Sequence, residues 1–94
     1  MAVKLQRQQV AEELQRLPQW TLRGDQIERL FIFEDFVDAM IFVNHVAEIA
    51  EEEGHHPDIR IVYNRVTLVL TTHDAGGLTL KDFQAAHRID ALRE

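Results

Sequence analysis

The chain contains no cysteine, so disulfides, thiolate nucleophiles and thiolate metal sites are excluded, and the composition suits a reducing compartment. Proline occurs twice and glycine four times, so structural punctuation falls at few places and each one can be read. Positive charge is in the minority: 10 basic against 16 acidic residues give a formal charge of −6. The electrostatic footprint that draws a phosphate backbone is missing, and direct binding of nucleic acid is not expected. No stretch approaches the roughly 20 apolar residues of a membrane helix. The opening MAVKLQRQQV has no apolar signal core. A cytoplasmic protein with no membrane partner is expected.

Hydrophobic residues make up 46% of the chain and charged residues 28%, which is the balance of a packed fold and not of a disordered segment. The length accommodates one domain, residues 1–94. A core of that size gains from burying further surface between subunits, so a homo-oligomer is expected.

Between Leu5 and Leu17, apolar residues recur at Val10, Leu14 and Leu17 among Gln, Glu and Arg, a helical stripe that Pro18 brings to an end. Trp20 to Leu22 and Ile27 to Ile32 read as a hairpin around Gly24-Asp25. Glu34 to Glu53 contains no Gly or Pro and predicts the longest helix, with Gly54 as the left-handed residue that closes it. On that helix Phe36, Val37, Met40, Val43, Ala47 and Ala50 follow one face, and Phe42, Val46 and Ile49 form a second line beside it. Two apolar lines mean either a wide core surface or a helix that also packs against another subunit.

Ile59, Ile61 and Tyr63, then Val66, Leu68 and Leu70, alternate with other residues and predict two strands joined at Asn64-Arg65. Thr79-Leu-Lys-Asp82 has the form of a capping box opening a last helix, with Phe83, Ala86, Ile89 and Ala91 or Leu92 inward. The fold class is α+β, in the order α-β-β-α-β-β-α, with a single-layer four-stranded antiparallel sheet and three helices on one face.

The segment Glu51 to Pro57, EEEGHHP, sets two imidazoles where the long helix stops and a strand begins. A loop at Asn64-Arg65 pairs Tyr63 with Val66, Ile61 with Leu68 and Ile59 with Leu70, and the same ladder carried outward brings His56 opposite His73. Glu51, four residues before His55, is positioned to hydrogen-bond that imidazole. Three accounts of the cluster stand side by side. It is an exposed helix exit beside a loop histidine, a metal site, or an acid–base site. Metal lacks the usual H-x₃₋₅-H or H-E-x-x-H spacing. Acid–base chemistry is what imidazoles supply near neutral pH, and the convergence of His56 and His73 favours it.

Glu51, three residues, His55-His56-Pro57, five residues, Tyr63, nine residues, His73, eight residues and Asp82 together resemble the signature of the pterin-4a-carbinolamine dehydratases. TTHDAGGLT from Thr71 to Thr79 is similar to that family's histidine loop, and Trp20 with FEDFVDAMIFVNHVAEIA resembles its upstream half. The resemblance implies an enzyme that removes water from 4a-hydroxytetrahydropterin to give quinonoid dihydropterin, in recycling of the pterin cofactor, with no metal and no organic cofactor of its own. It implies His55, His56 and His73 as the catalytic histidines, His56 and His73 being nearest the leaving hydroxyl, and Glu51 holding or polarising one of them. Glu51, Pro57, Thr72, Asp82 and Trp20 are the expected substrate contacts, although helix capping is the better first explanation of Asp82 and core packing explains Trp20 at least as well. Gly54 stands where some relatives carry an acid, which removes one polar contact to the pterin. The family further implies dimers through the sheet edge or tetramers through the 34–53 helix, which would account for the line of Phe42, Val46 and Ile49. The alternative function is a non-catalytic binding or scaffold protein on the same fold, such as the dimerisation cofactor of a homeodomain transcription factor or an assembly factor. An intact histidine set favours the enzyme.

Overall fold

A computed structural model describes residues 2–93. The elements are α1 (Arg7–Gln15), β1 (Thr21–Arg23), β2 (Gln26–Ile32), α2 (Phe36–Glu53), β3 (Asp58–Val62), β4 (Arg65–Leu70) and α3 (Leu80–Ala91), with one turn of 3₁₀ helix at His73–Ala75. The four strands form one antiparallel sheet in the order β1-β2-β4-β3. The fold class and element order are those expected from the sequence. Alternation along β2 and β4 turns Ile27, Phe31, Val66, Leu68 and Leu70 to one face, where they meet Phe42, Val46 and Ile49 of α2, Phe83, Ala86 and Ile89 of α3 and Val10 of α1. Among the described residues no helix is long and apolar enough to cross a membrane.

Local signals set the ends of the elements. Asp35 caps α2 by accepting Asp38 N–H at 2.9 Å, and Gly54 closes it with φ 62°. Thr79 and Asp82 form the expected capping box of α3. Helix α1 begins two residues later than the apolar spacing suggests, because Leu5 N–H donates to Leu78 O at 2.8 Å and is thereby held outside the helix. On α3 Ala85 is inward, while Ala91 and Leu92 are exposed at its far end.

Two expectations are corrected. The β3–β4 ladder pairs Val62 with Arg65, Ile61 with Val66 and Ile59 with Leu68, so the tight turn is Tyr63-Asn64 and not Asn64-Arg65. This is a shift of two residues, which leaves every side chain on its expected face and is therefore invisible to hydrophobic alternation. The cause is long-range. Asn64 O accepts Phe33 N–H at 2.8 Å and Asn64 Nδ2 donates to Phe33 O at 2.9 Å, which holds Asn64 at the end of β2. Tyr63 then takes the turn position at φ 51°, a left-handed conformation that costs a side-chain-bearing residue roughly 1–2 kcal/mol.

The second correction concerns α2. Phe42, Val46 and Ile49 are core residues, and Phe42 is 5% exposed, with Phe31 and Phe33 at ring-centroid distances of 4.6 and 5.0 Å. The aromatic pair on the sheet needs a large partner, and Phe42 supplies it. The line that remains outside is Phe36, Val37 and Ile41, with Val37 64% exposed.

Candidate active site

The left-handed Gly54 turns the chain out of α2 so that the two following imidazoles diverge, as neighbours in extended backbone must. His55 goes inward. Its N–H donates to Ala50 O at 3.1 Å, and its Nε2 lies 2.5 Å from Asp82 Oδ1, with 11% of the side chain exposed against 0% for Asp82. His56 goes outward, where its Nε2 lies 2.5 Å from Glu51 Oε2, the two side chains being 61% and 77% exposed. The carboxylate partners are thus not those expected. Glu51 holds His56 and not His55, and the buried partner of His55 comes from the cap of α3.

Asp82 performs both tasks because a capping box uses one carboxylate oxygen. Oδ2 accepts Thr79 N–H at 2.9 Å and the Thr72 hydroxyl at 2.8 Å, which leaves Oδ1 for His55. The other ring nitrogen of His55, Nδ1, has no partner among the described residues, where no buried side-chain nitrogen or oxygen is unpartnered. Nδ1 is therefore not fully buried and is free of protein partners. An imidazole held at Nε2 by a buried carboxylate and free at Nδ1 is arranged to accept a proton.

His73 is not the cross-strand neighbour of His56. In the observed register the extrapolated ladder sets His56 opposite Thr71 and His55 opposite Thr72. His73 opens the 3₁₀ turn and is exposed, and the loop that carries it is closed by the Thr72–Gly77 bridge, with N–H···O distances of 3.1 and 3.3 Å. It follows Thr72 directly, and Thr72 touches the carboxylate that holds His55, so the loop and the helix exit share one hydrogen-bonded hub. His56, Glu51 and His73 face solvent, while His55 and Asp82 lie inside. A cleft of about 710 Å³ lies elsewhere, lined by Lys4, Arg7, Leu22, Asp25 and Leu78 among others. No group of three or more potential ligands converges on a metal position among the described residues.

Arg88 braces the site from α3, donating to Glu52 at 2.6 Å and Glu53 at 2.8 Å on the last turn of α2. The bonds to Glu52 and then Glu53 raise its pKa above the ordinary arginine value. With this geometry in view, comparison with known proteins gives a consistent answer. The family model for pterin 4 alpha carbinolamine dehydratase matches residues 3–92. The chain belongs to the pterin 4 alpha carbinolamine dehydratase family.

Membership places the chain among hydro-lyases. It is 60% identical over 83 residues to an Acidobacterium capsulatum protein named "Putative pterin-4-alpha-carbinolamine dehydratase", covering 88% of this chain and 90% of that one. A Chloroflexus aurantiacus protein of the same name is 53% identical over 89 residues, covering 95% and 96%. The crystal structure of a transcriptional coactivator/pterin dehydratase from Brucella melitensis superposes with a TM-score of 0.90 at 35% identity, covering 95% and 97%. A pterin dehydratase-like RuBisCO assembly factor of the alpha-carboxysome shares the fold, with a TM-score of 0.64 at 24% identity over 78% and 84%.

The remaining residues expected at the dehydratase site divide. Pro57 is half-buried immediately before β3, next to His56. Thr72 is buried, and its hydroxyl lies between Asp82 and Thr79 Oγ1, each at 2.8 Å, so it has no free hydrogen for a ligand. Trp20 is a core residue. It meets Phe31 edge-on at 6.3 Å and donates its indole N–H to Asp90 Oδ1 at 2.9 Å. Asp90 lies eight residues beyond Asp82, about 12 Å along the helix axis, so Trp20 braces the other end of α3. The residue that sequence reasoning undervalued is Thr79, seen only as a cap. The overlooked signal was that a capping carboxylate keeps a second oxygen free.

Proposed function

We propose that this chain dehydrates 4a-hydroxytetrahydropterin to quinonoid dihydropterin by histidine acid–base catalysis. The observation that carries the reading is the pair of consecutive imidazoles held in opposite ways, His55 on buried Asp82 and His56 on exposed Glu51. The reaction needs two different proton partners. As the C4a–O bond breaks, the hydroxyl takes a proton and leaves as water, the N5 lone pair forms the C4a=N5 bond, and a ring N–H gives its proton to a base. His55, with Nδ1 free and a carboxylate behind it to stabilise its cation, is suited to be the base. His56 and His73, both exposed, are suited to deliver the proton to the hydroxyl. Assistance of this kind accelerates a reaction by roughly 10²–10⁴, appropriate to a carbinolamine that already dehydrates unaided.

The same reading includes a cytoplasmic homo-oligomer, joined through the sheet edge or through α2. Phe36, Val37 and Ile41 support the helix interface, since they form an exposed apolar line on one element. Stopped-flow dehydration of freshly generated 4a-hydroxytetrahydropterin tests the activity. The native chain is expected to exceed the uncatalysed rate, with His55→Ala, His56→Ala and His73→Ala each slower than native. Native protein indistinguishable from buffer would remove the enzymatic reading and leave a binding role on this fold.

A further inference from the structure

The hydrogen bonds behind His55 form a chain that begins on the main chain and has one direction. Lys81 N–H donates to Thr79 Oγ1 at 3.2 Å, Thr79 and Thr72 share a hydrogen bond at 2.8 Å between their Oγ1 atoms, and Thr72 Oγ1 lies 2.8 Å from Asp82 Oδ2. A backbone amide can only donate, so one lone pair of Thr79 Oγ1 is occupied. If Thr79 gives its hydrogen to Thr72, and Thr72 gives its own to Asp82, every hydrogen in the chain has an acceptor. Reversing the direction would put a proton on Asp82 Oδ2 and leave the Thr79 hydrogen without a partner. Thr79 is 1% exposed, so that orphan donor would be buried, at a penalty of roughly 1–3 kcal/mol. Thr79 N–H also converges on Oδ2 at 2.9 Å, which leaves that oxygen no room for a proton of its own.

We infer that the α3 capping box, acting through the buried Thr79–Thr72 hydroxyl pair, fixes Asp82 Oδ2 as an acceptor and so favours the His55 tautomer protonated at Nε2, with its hydrogen on Oδ1. Thr72 and Thr79 are then positioning residues, and Thr72 serves the reaction without touching substrate. The consequence lies at Nδ1. With the hydrogen held at Nε2, Nδ1 carries the lone pair, and the carboxylate at Oδ1 stabilises the ring when Nδ1 gains a proton. This inference rests on the acid–base reading for its kinetic consequence, but the tautomer itself is a property of the unliganded protein.

The test is ring ¹⁵N NMR on histidine-labelled protein without substrate, with the His55 signals assigned by His55→Gln and read at the alkaline limit of the titration. Native protein is expected to show Nε2–H alone. Thr72→Val is expected to bring in a second population protonated at Nδ1 and to lower kcat roughly tenfold with KM unchanged. Thr72→Ser, which keeps the hydroxyl, restores both. A structural role alone would not move the tautomer. An Nδ1–H His55 in native protein overturns the inference. So does an unchanged Nε2–H signal in Thr72→Val, whatever the rate, because a rate loss without a tautomer change makes Thr72 a substrate contact. If Thr72→Val fails to fold, Thr79→Ala against Thr79→Ser asks the same question one link further back. A native chain with no dehydratase activity would sink the proposed reaction and leave the tautomer readout to decide this inference by itself.

Discussion

Asn64 and Phe33 exchange two hydrogen bonds, one main chain to main chain at 2.8 Å and one from the Asn64 amide to the Phe33 carbonyl at 2.9 Å. This exchange sets the β3–β4 register and places Tyr63 at φ 51°. Asparagine tolerates the left-handed region far better than a bulky aromatic, so Tyr63→Asn is expected to stabilise the fold by roughly 0.5–1 kcal/mol. Asn64→Ala removes the side-chain bond and is expected to cost about 1 kcal/mol. Urea midpoints at constant m-value measure both, and a destabilised Tyr63→Asn would contradict the strained turn.

A second expectation follows from the double use of Asp82. Asn at this position keeps one acceptor, and its NH₂ either opposes the Thr72 and Thr79 donors or faces His55 Nε2, where the ring avoids a clash only by moving its hydrogen to Nδ1 and giving up the free lone pair there. Asp82→Asn is expected to destabilise the chain by about 1–3 kcal/mol and to reduce dehydration by at least roughly 10²-fold, back toward the uncatalysed rate, through loss of the His55 base. Thermal melts and stopped-flow rates read the two effects separately. Native-like rates in a folded Asp82→Asn would exclude His55 as the base.

How much of this was legible in the sequence depends on the range over which each feature is encoded. The end of α2 at Gly54 and the cap at Thr79 are written in adjacent residues, and both stand where the sequence puts them. The hairpin at Gly24-Asp25 is equally local. The register of β3 on β4 is not, because a shift of two preserves the pattern of Ile59, Ile61, Val66 and Leu68, and the deciding contact comes from Phe33, just past the end of β2. The pairing of His55 with Asp82 was hidden for the same reason. The two are 27 residues apart, and only the packing of α3 beside the end of α2 brings them together. On α2 two apolar lines were visible, but which of them faces the sheet depends on where Phe31 and Phe33 point.

The outward pair behaves differently from the inward one. His56 and Glu51 are both exposed, and an exposed ion pair contributes little to stability because water competes for each partner. Glu51→Gln is therefore expected to leave the urea midpoint within the equivalent of about 0.5 kcal/mol. If Glu51 orients His56 for proton delivery, the same variant slows dehydration while KM stays near native. Equal stability with equal kcat would remove Glu51 from the reaction.

The two apolar lines of α2 give opposite responses to substitution. Phe42 sits in the aromatic cluster with Phe31 and Phe33, so Phe42→Ala is expected to cost roughly 3–5 kcal/mol in the core. Val37, 64% exposed, lies outside the core cluster, and Val37→Asp leaves a folded monomer intact if α2 is free. If instead the line of Phe36, Val37 and Ile41 is covered by another copy, Val37→Asp buries an unpaired charge at that contact, and association weakens while far-UV circular dichroism is retained. Light scattering across a concentration series separates the cases. A Val37→Asp variant with the native mass at every concentration would rule out α2 as the subunit interface and turn attention to the edge strand β3, whose outer side has no partner strand among the described residues.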